Sequence, residues 1–152
     1  MDIGIISDTH ISEKRGKLND KIFEVFKDVD LILHAGDITS KKVLNDLSSI
    51  APVKAVLGNN DKLDLKKYEI INVCNVKIIL VHGHQTKDLY DFALKYNADI
   101  IISGHTHKAN FEKHNNIYLI NPGSASKPIK SAASIAILKI KEKIEVKFFE
   151  LQ

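Results

Sequence analysis

Five short apolar runs in this chain each end in residues of the kind that bind metal ions: Ser7-Asp8-Thr9-His10, Gly36-Asp37, Gly58-Asn59-Asn60-Asp61, His82-Gly83-His84 and Gly104-His105-Thr106-His107. The runs are rich in β-branched residues and bounded by glycine, so they read as buried strands. Polar side chains that are costly to desolvate have no reason to gather repeatedly at such strand ends unless they act together. In open α/β sheets that edge is where ligands bind. Each cluster alone is a weak signal, but five on one sheet edge form a strong one.

The strands expected on this basis are Ile3 to Ser7, Leu31 to Ala35, Val53 to Leu57, Lys77 to Val81 and Asp99 to Ser103. Helical spacing lies between them: Ile22, Val25, Phe26 and Val29; Val43, Leu44, Leu47 and Ile50; Leu89, Phe92, Ala93 and Tyr96. Asn19, Thr39 or Ser40, and Thr86 are the expected N-caps. This alternation predicts parallel βαβ units. Further on, Phe111 to His114 and Ile117 to Ile120 flank Asn115-Asn116, a pair suited to a two-residue hairpin turn. Ser134 to Ile140 and Ile144 to Phe149 read as a second hairpin around Lys141 to Lys143. The two hairpins predict a second, more antiparallel sheet packed on the first, within a single domain spanning residues 1–152.

Composition narrows the class. A chain of 152 residues with 44% hydrophobic and 27% charged residues can bury a sizeable core, and no apolar run approaches the ~18 residues of a membrane span. The chain enters its first strand at Ile3 without a basic leader, and the lone Cys74 suits a reducing compartment, so a cytoplasmic protein is expected. The formal net charge is +3 with lysines dispersed along the chain, which favours a solvated surface over a nucleic-acid-binding stripe. Phe148 and Phe149 point to opposite sides of a strand; an ordinary edge strand is the expectation and a homo-oligomer contact the alternative.

Asp8 and His10 are two residues apart, and in an extended chain that spacing sets both side chains on one face, where they can chelate one ion. The same holds for His82/His84 and His105/His107. Carboxylates and imidazoles with one carboxamide and no thiolate suit Mn, Fe, Zn or Ni. Two divalent ions ~3.5–4 Å apart need a bridging carboxylate, activate a water between them and clamp the attacking and leaving oxygens of a phosphoryl group. Asp37 is the natural bridge. Two carboxylates against two such ions and one hydroxide leave about one positive charge, a match for a monoanionic phosphodiester.

The ordered set Asp8-x-His10, Gly36-Asp37, Gly58-Asn59-x-Asp61, His82-Gly83-His84 and Gly104-His105-x-His107 resembles the complete metal signature of the calcineurin-like metallophosphoesterases. Asn121-Pro122-Gly123-Ser124 resembles a further motif of their small YfcE-type phosphodiesterase branch. The resemblance implies an α/β fold, a four-layer α/β/β/α sandwich of two mixed sheets, and two divalent ions, with Mn first and Ni, Fe or Zn as alternatives. It implies one metal on Asp8, His10, Asp37 and His107, and the other on Asp37, Asn59, His82 and His105. It also implies hydrolysis of small or nucleotide-like phosphodiesters. Many members carry His after the ligand Asn, as proton donor or phosphate contact; here that residue is Asn60. An amide hydrogen-bonds a phosphoryl oxygen but cannot protonate a leaving group. Esters with good leaving groups are therefore expected, and a phosphoprotein phosphatase is the disfavoured alternative.

The other polar residues have plainer readings. His34 is expected to be a hydrogen-bonded core histidine, His114 a surface residue, Asp61 a partner of the ligand loops and Asn121 to Ser124 a tight turn near the site. His84 has two readings of equal weight, a phosphate contact or a support for His82. Lys14 and Arg15 are read as a solvated loop, with a phosphate contact as the alternative. The same fold also resembles a retromer-complex subunit that binds proteins without catalysis. That scaffold reading is the rival function, and the completeness of the ligand set counts against it.

Overall fold

The computed structural model describes residues 1–12, 14, 16–126 and 132–151. Its elements in order are β1 (Asp2–Ile6), α1 (Asp20–Phe26), β2 (Leu31–His34), α2 (Lys41–Ser48), β3 (Val53–Ala55), β4 (Tyr68–Val73), β5 (Val76–Val81), α3 (Leu89–Lys95), β6 (Ile100–Ile102), β7 (Ala109–His114), β8 (Ile117–Pro122), β9 (Ala133–Ile140) and β10 (Ile144–Leu151). Strand alternation explains how they layer. Ile3 and Ile5 of β1 face one side and Ile6 the other, and all three are fully buried. A strand apolar on both faces must be covered on both.

Two five-stranded mixed sheets satisfy this requirement, one ordered β10-β9-β1-β2-β3 and the other β4-β5-β6-β8-β7. Between them lies a core containing Ile3, Ile5, Leu33, Ile78, Leu80, Ile102 and Leu138. Ile22, Phe26, Val43 and Leu47 carry α1 and α2 onto the outer face of the first sheet. Ala93 and its half-buried neighbours Leu89, Phe92 and Tyr96 carry α3 onto the second. The result is an α/β/β/α sandwich. Phe148 and Phe149 are both half-buried, one against the inter-sheet core and the other against the α1/α2 layer.

Four expectations need correction. The five ligand-bearing strand ends do not share one sheet edge: β1, β2 and β3 belong to the first sheet, β5 and β6 to the second. The two C-terminal hairpins do not form a sheet together, because β7-β8 joins β6 while β9 pairs antiparallel with β1. Strand β4 was not foreseen; Cys74 and Asn75, with φ of 51° and 61°, turn it into β5 as a tight hairpin. Finally, α3 is capped by Asp88, whose side chain accepts from the Asp91 N–H, and not by Thr86. Asn19 and Ser40 cap α1 and α2 as expected.

The inter-sheet core sets the stability of the assembly. Ile102→Ala, at a fully buried position, should lower unfolding free energy by about 2–5 kcal/mol. Ile70→Ala, on the exposed side of β4, should change it by less than about 0.5 kcal/mol. Urea unfolding of both variants measures the difference.

Candidate metal centre

The side chains of interest leave their strands through unusual backbone. Asp8, His10, Asp37, His105 and His107 have φ of 51°, 48°, 56°, 70° and 62°. Such left-handed conformations cost an L-residue on the order of 1–3 kcal/mol and persist only where the surroundings impose them. The chain is therefore not extended at Asp8/His10 or at His105/His107, and the alternation argument for chelating pairs fails there. Asp8 and His10 still converge, because their N–H groups donate to the carbonyls of Gly36 (3.0 Å) and Asp37 (3.2 Å). His105 and His107 part company: the first ring lies 5.1 Å from that of His82, while His107 Nε2 lies 3.3 Å from Asp8 Oδ1.

Asp8 Oδ1 also lies 3.8 Å from both His10 Nε2 and His82 Nε2. Asp37 Oδ2 is 3.6 Å from His10 Nε2 and 3.5 Å from His82 Nε2. Asn59 Oδ1 approaches His82 Nε2 to 3.0 Å. Two sets with the spacing of a metal site result, Asp8/His10/His107 and Asp8/Asp37/His82, their atoms within 4.8 Å of one another. His105 is exposed and joins neither set. Asn60 turns back on Asp37: its N–H donates to Oδ1 at 2.8 Å and its carboxamide to Oδ2 at 2.9 Å. The His84 ring stands 5.3 Å from that of His82.

A shell of hydrogen bonds holds these loops, and in it Asp61 is the partner of the ligand loops expected from the sequence. The Asp61 carboxylate accepts from the N–H groups of Asp37 (2.9 Å), Thr39 (2.7 Å) and Gly58 (2.9 Å), so it fastens the end of β3 to the loop after β2. Ser124 and Ser126 donate to the Asp8 carbonyl at 3.0 and 3.1 Å. Asn121 and Pro122 end β8 instead of opening the expected tight turn; Asn121 donates to Gly104 O and Thr106 Oγ1 at 3.0 and 3.1 Å, so with Ser124 this segment braces ligand loops of both sheets. Two glycines admit the close approach: a Cβ at Gly58 would overlap Asp37, and one at Gly104 would overlap Ser7 Oγ. Lys14 is exposed, Arg15 lies outside the described residues, and His114 stacks on Tyr90 at the surface.

Charge and burial fit this cluster to cations. His82 Nδ1 donates to Ala35 O at 2.8 Å, and Nε2 faces the oxygens of Asp8, Asp37 and Asn59. Asp8 Oδ1 and His10 Nε2 are buried without a hydrogen-bond partner. Burial alone would raise the Asp8 carboxyl, but His10, the Ser7 hydroxyl, His82 and His107 together hold it below its ordinary value. Burial pushes the His84 imidazole down, reinforced by His82 and His105. Carboxylate oxygens and imidazole nitrogens gathered this closely, with Asp8 Oδ1 and His10 Nε2 unpartnered, form a donor set that a positive ion would complete.

His34 is a core residue: fully buried, its Nδ1 accepts from the Gly36 N–H at 3.1 Å and Nε2 lies 3.1 Å from Thr9 Oγ1. Burial drives its pKa down to about 3, against the opposing pull of Asp8. The unfolded chain takes up this proton below the ordinary value of 6.5 and the folded chain does not. The stabilisation is thus complete above 6.5 and lost as pH falls towards 3. The difference in stability between the native protein and His34→Gln should slope by about 1.4 kcal/mol per pH unit over the middle of that window. Denaturant titrations at a series of pH values measure it; a flat difference would mean that His34 protonates in the folded state.

A sandwich that brings carboxylates and imidazoles together at one end of two sheets defines a metallophosphoesterase architecture. Residues 1–143 match the calcineurin-like phosphoesterase superfamily domain, and the chain belongs to that superfamily. It is 36% identical over 146 residues to a probable metallophosphoesterase of Methanothermobacter thermautotrophicus, covering 91% of this chain and 85% of the relative. Among solved structures, an archaeal phosphodiesterase superposes with a TM-score of 0.83 at 29% identity over 99% of this chain and 100% of that one. Wild-type Vps29 of Entamoeba histolytica, solved with zinc, superposes with a TM-score of 0.83 at 25% identity over 99% of both chains. No helix among the described residues is long and apolar enough to cross a membrane.

Proposed function

We propose that the protein is a cytoplasmic binuclear metal phosphodiesterase acting on small or nucleotide-like phosphodiesters, with residues 1–152 forming one metallophosphoesterase domain. The observation that carries this reading is the pair of orphaned buried atoms, Asp8 Oδ1 and His10 Nε2, within two overlapping sets of candidate ligands. One ion, Mn in the first instance, would be held by Asp8, His10, Asp37 and His107, and the second by Asp37, Asn59, His82 and His105. When bound, such a pair supplies Lewis-acid polarisation of the phosphoryl oxygens and a water acidic enough to serve as nucleophile near neutral pH.

The chain's own groups supply the rest. Asp37 has an oxygen within 3.6 Å of His10 and 3.5 Å of His82, which supports it as the bridge, although Asp8 Oδ1 makes a comparable approach to both rings. Asn60 fixes the plane of the Asp37 carboxylate through two donors. His84, whose Nδ1 is buried without a partner, faces the site as a phosphate contact. The purified protein should hold about two Mn ions per chain by elemental analysis. Asp37→Asn should lower turnover by more than about 100-fold, and His84→Ala by about 10- to 100-fold. Saturation at one ion under several metals would exclude the binuclear reading, and a mild Asp37→Asn with a severe Asp8→Asn would move the bridge to Asp8.

Asn60 carries the substrate argument. No amide protonates a departing oxygen, so turnover should depend steeply on leaving-group pKa, with bis(p-nitrophenyl) phosphate favoured over alkyl diesters. General acid assistance is worth about 10²–10⁴-fold, so Asn60→His should raise the rate on poor leaving groups relative to that on aryl diesters, a ratio from which the lost contact to Asp37 cancels. A graded ester series, with metal occupancy checked in both forms, measures the two slopes. A shallow native slope would assign the proton to another group. The likeness to Vps29 keeps a non-catalytic protein-binding scaffold as the rival reading, and the absence of turnover on every diester in a metal-loaded preparation would favour it.

A further inference from the structure

A cavity of about 200 Å³ opens from His82 and His84 onto Lys67, Tyr68, Gln85, Thr86 and Phe92, and of these only the two histidines enter the proposed metal chemistry. The register of β4 on β5 sets Tyr68 opposite Val81, the residue before His82, so strand pairing alone brings an aromatic ring to the rim of the metal cluster. Helix α3 supplies a second ring, because Phe92 stands one turn beyond Asp88 with its N–H donating to Asp88 O at 3.1 Å. Tyr68 meets Phe92 edge to face, with centroids 5.6 Å apart at 84°. The Tyr68 hydroxyl lies 3.1 Å from that of Tyr96, which packs on Phe92 at 5.1 Å. Three rings thus brace one another, and a wall that is ordered in advance lowers the entropy cost of binding.

The remaining walls are polar. Gln85 offers a donor and an acceptor on one carboxamide, Thr86 a hydroxyl, and Lys67 an ammonium with no ion pair among the described residues, its neighbour Lys66 pairing with Glu69. An alkyl ester group would leave the rings bare, whereas a planar group with polar edges matches both kinds of wall. A larger cavity of about 450 Å³ on the other side of the loop before α3 is a poorer candidate: Asp88 and Glu112 on its walls oppose an anionic ester, and its rings Tyr90 and His114 are stacked on each other at 4.2 Å.

We propose that the Tyr68/Phe92 cavity is the subsite for a nucleobase of the diester, with the rings taking its flat surface and Gln85 its polar edge. This inference rests on the phosphodiesterase reading, whose diesters it narrows to those of nucleotides. Calorimetric titration of the zinc-loaded full chain with thymidine 5′-monophosphate and with methyl phosphate tests it. The nucleotide should bind about tenfold more tightly, the scale of one base stacked on an aromatic side chain. Tyr68→Ala should erase that preference, Tyr68→Phe should retain it, and Gln85→Ala, an exposed position that cannot unfold the core, should reduce it. Equal affinity for the two ligands in the native protein, or a preference that survives both Tyr68→Ala and Gln85→Ala, would overturn the subsite. Diester turnover is assayed separately, so a nucleotide preference without turnover would overturn the phosphodiesterase reading alone, and turnover without preference the subsite alone.

Discussion

A carboxylate taken out of water costs several kcal/mol unless donors or cations replace its hydration. Asp8 is fully buried where the two sheets meet, and the protein meets that cost with groups from both. Oδ2 accepts from Ser7 Oγ at 2.7 Å, beside it on the first sheet, and from the His105 N–H at 3.1 Å, on a loop of the second. Its N–H donates to Gly36 O while its carbonyl accepts from Ser124 and Ser126. The groups that approach Asp8 come from its own segment, from the loop at Gly36, from the pair Ser124 and Ser126 and from the pair His105 and His107, so one buried carboxylate ties together loops of both sheets. Oδ1 alone is left over, turned towards three imidazoles.

What could be read from the chain divides along sequence separation. The strand cores, the caps at Asn19 and Ser40, the hairpin at Asn115-Asn116 and the candidate ligands are local patterns, each written within a few residues. The partition of strands between sheets is not local. A run such as Lys77 to Val81 looks the same whether it pairs beside β3 or, as it does, between β4 and β6. Alternation at Tyr68 to Val73 carried a strand signal, with Asn75 as its turn, but Glu69 and Asn72 blurred it. The left-handed conformations at Asp8, His10, His105 and His107 were beyond reach, because the bonds that impose them come from residues as far away as Ser126.

The same separation explains why Asp61 and the Asn121 to Ser124 segment matter although neither chelates in the proposed scheme. Asp61 ties loops within the first sheet. Asn121 ties the second sheet's loop at Gly104 and Thr106, and Ser124, three residues on, ties the first sheet's at Asp8. Candidate ligands drawn from two sheets converge only if the sheets keep their relative position, and the inter-sheet core of isoleucine and leucine supplies that rigidity. Packing far from the cluster therefore bears on its geometry. Histidine appears in both roles: His34 is locked neutral in the core, whereas His82, equally buried, spends one nitrogen on Ala35 and keeps the other for the cluster.

Asn60 joins this electrostatic design to the choice of ester. Both oxygens of Asp37 accept from the one residue, so the plane of the carboxylate is set by a group that stays neutral at every pH. An imidazole at that position would bring a proton source but also a charge that changes near neutrality, beside a cluster already crowded with histidines. The amide gives up the proton and keeps the field constant. On the phosphodiesterase reading, that exchange shifts the burden of bond cleavage to the ester itself, whose departing oxygen must carry its negative charge unaided. Selectivity then has to come from how the rest of the ester is held. On the subsite proposal, the ring wall of Tyr68 and Phe92, braced from behind by Tyr96, holds it.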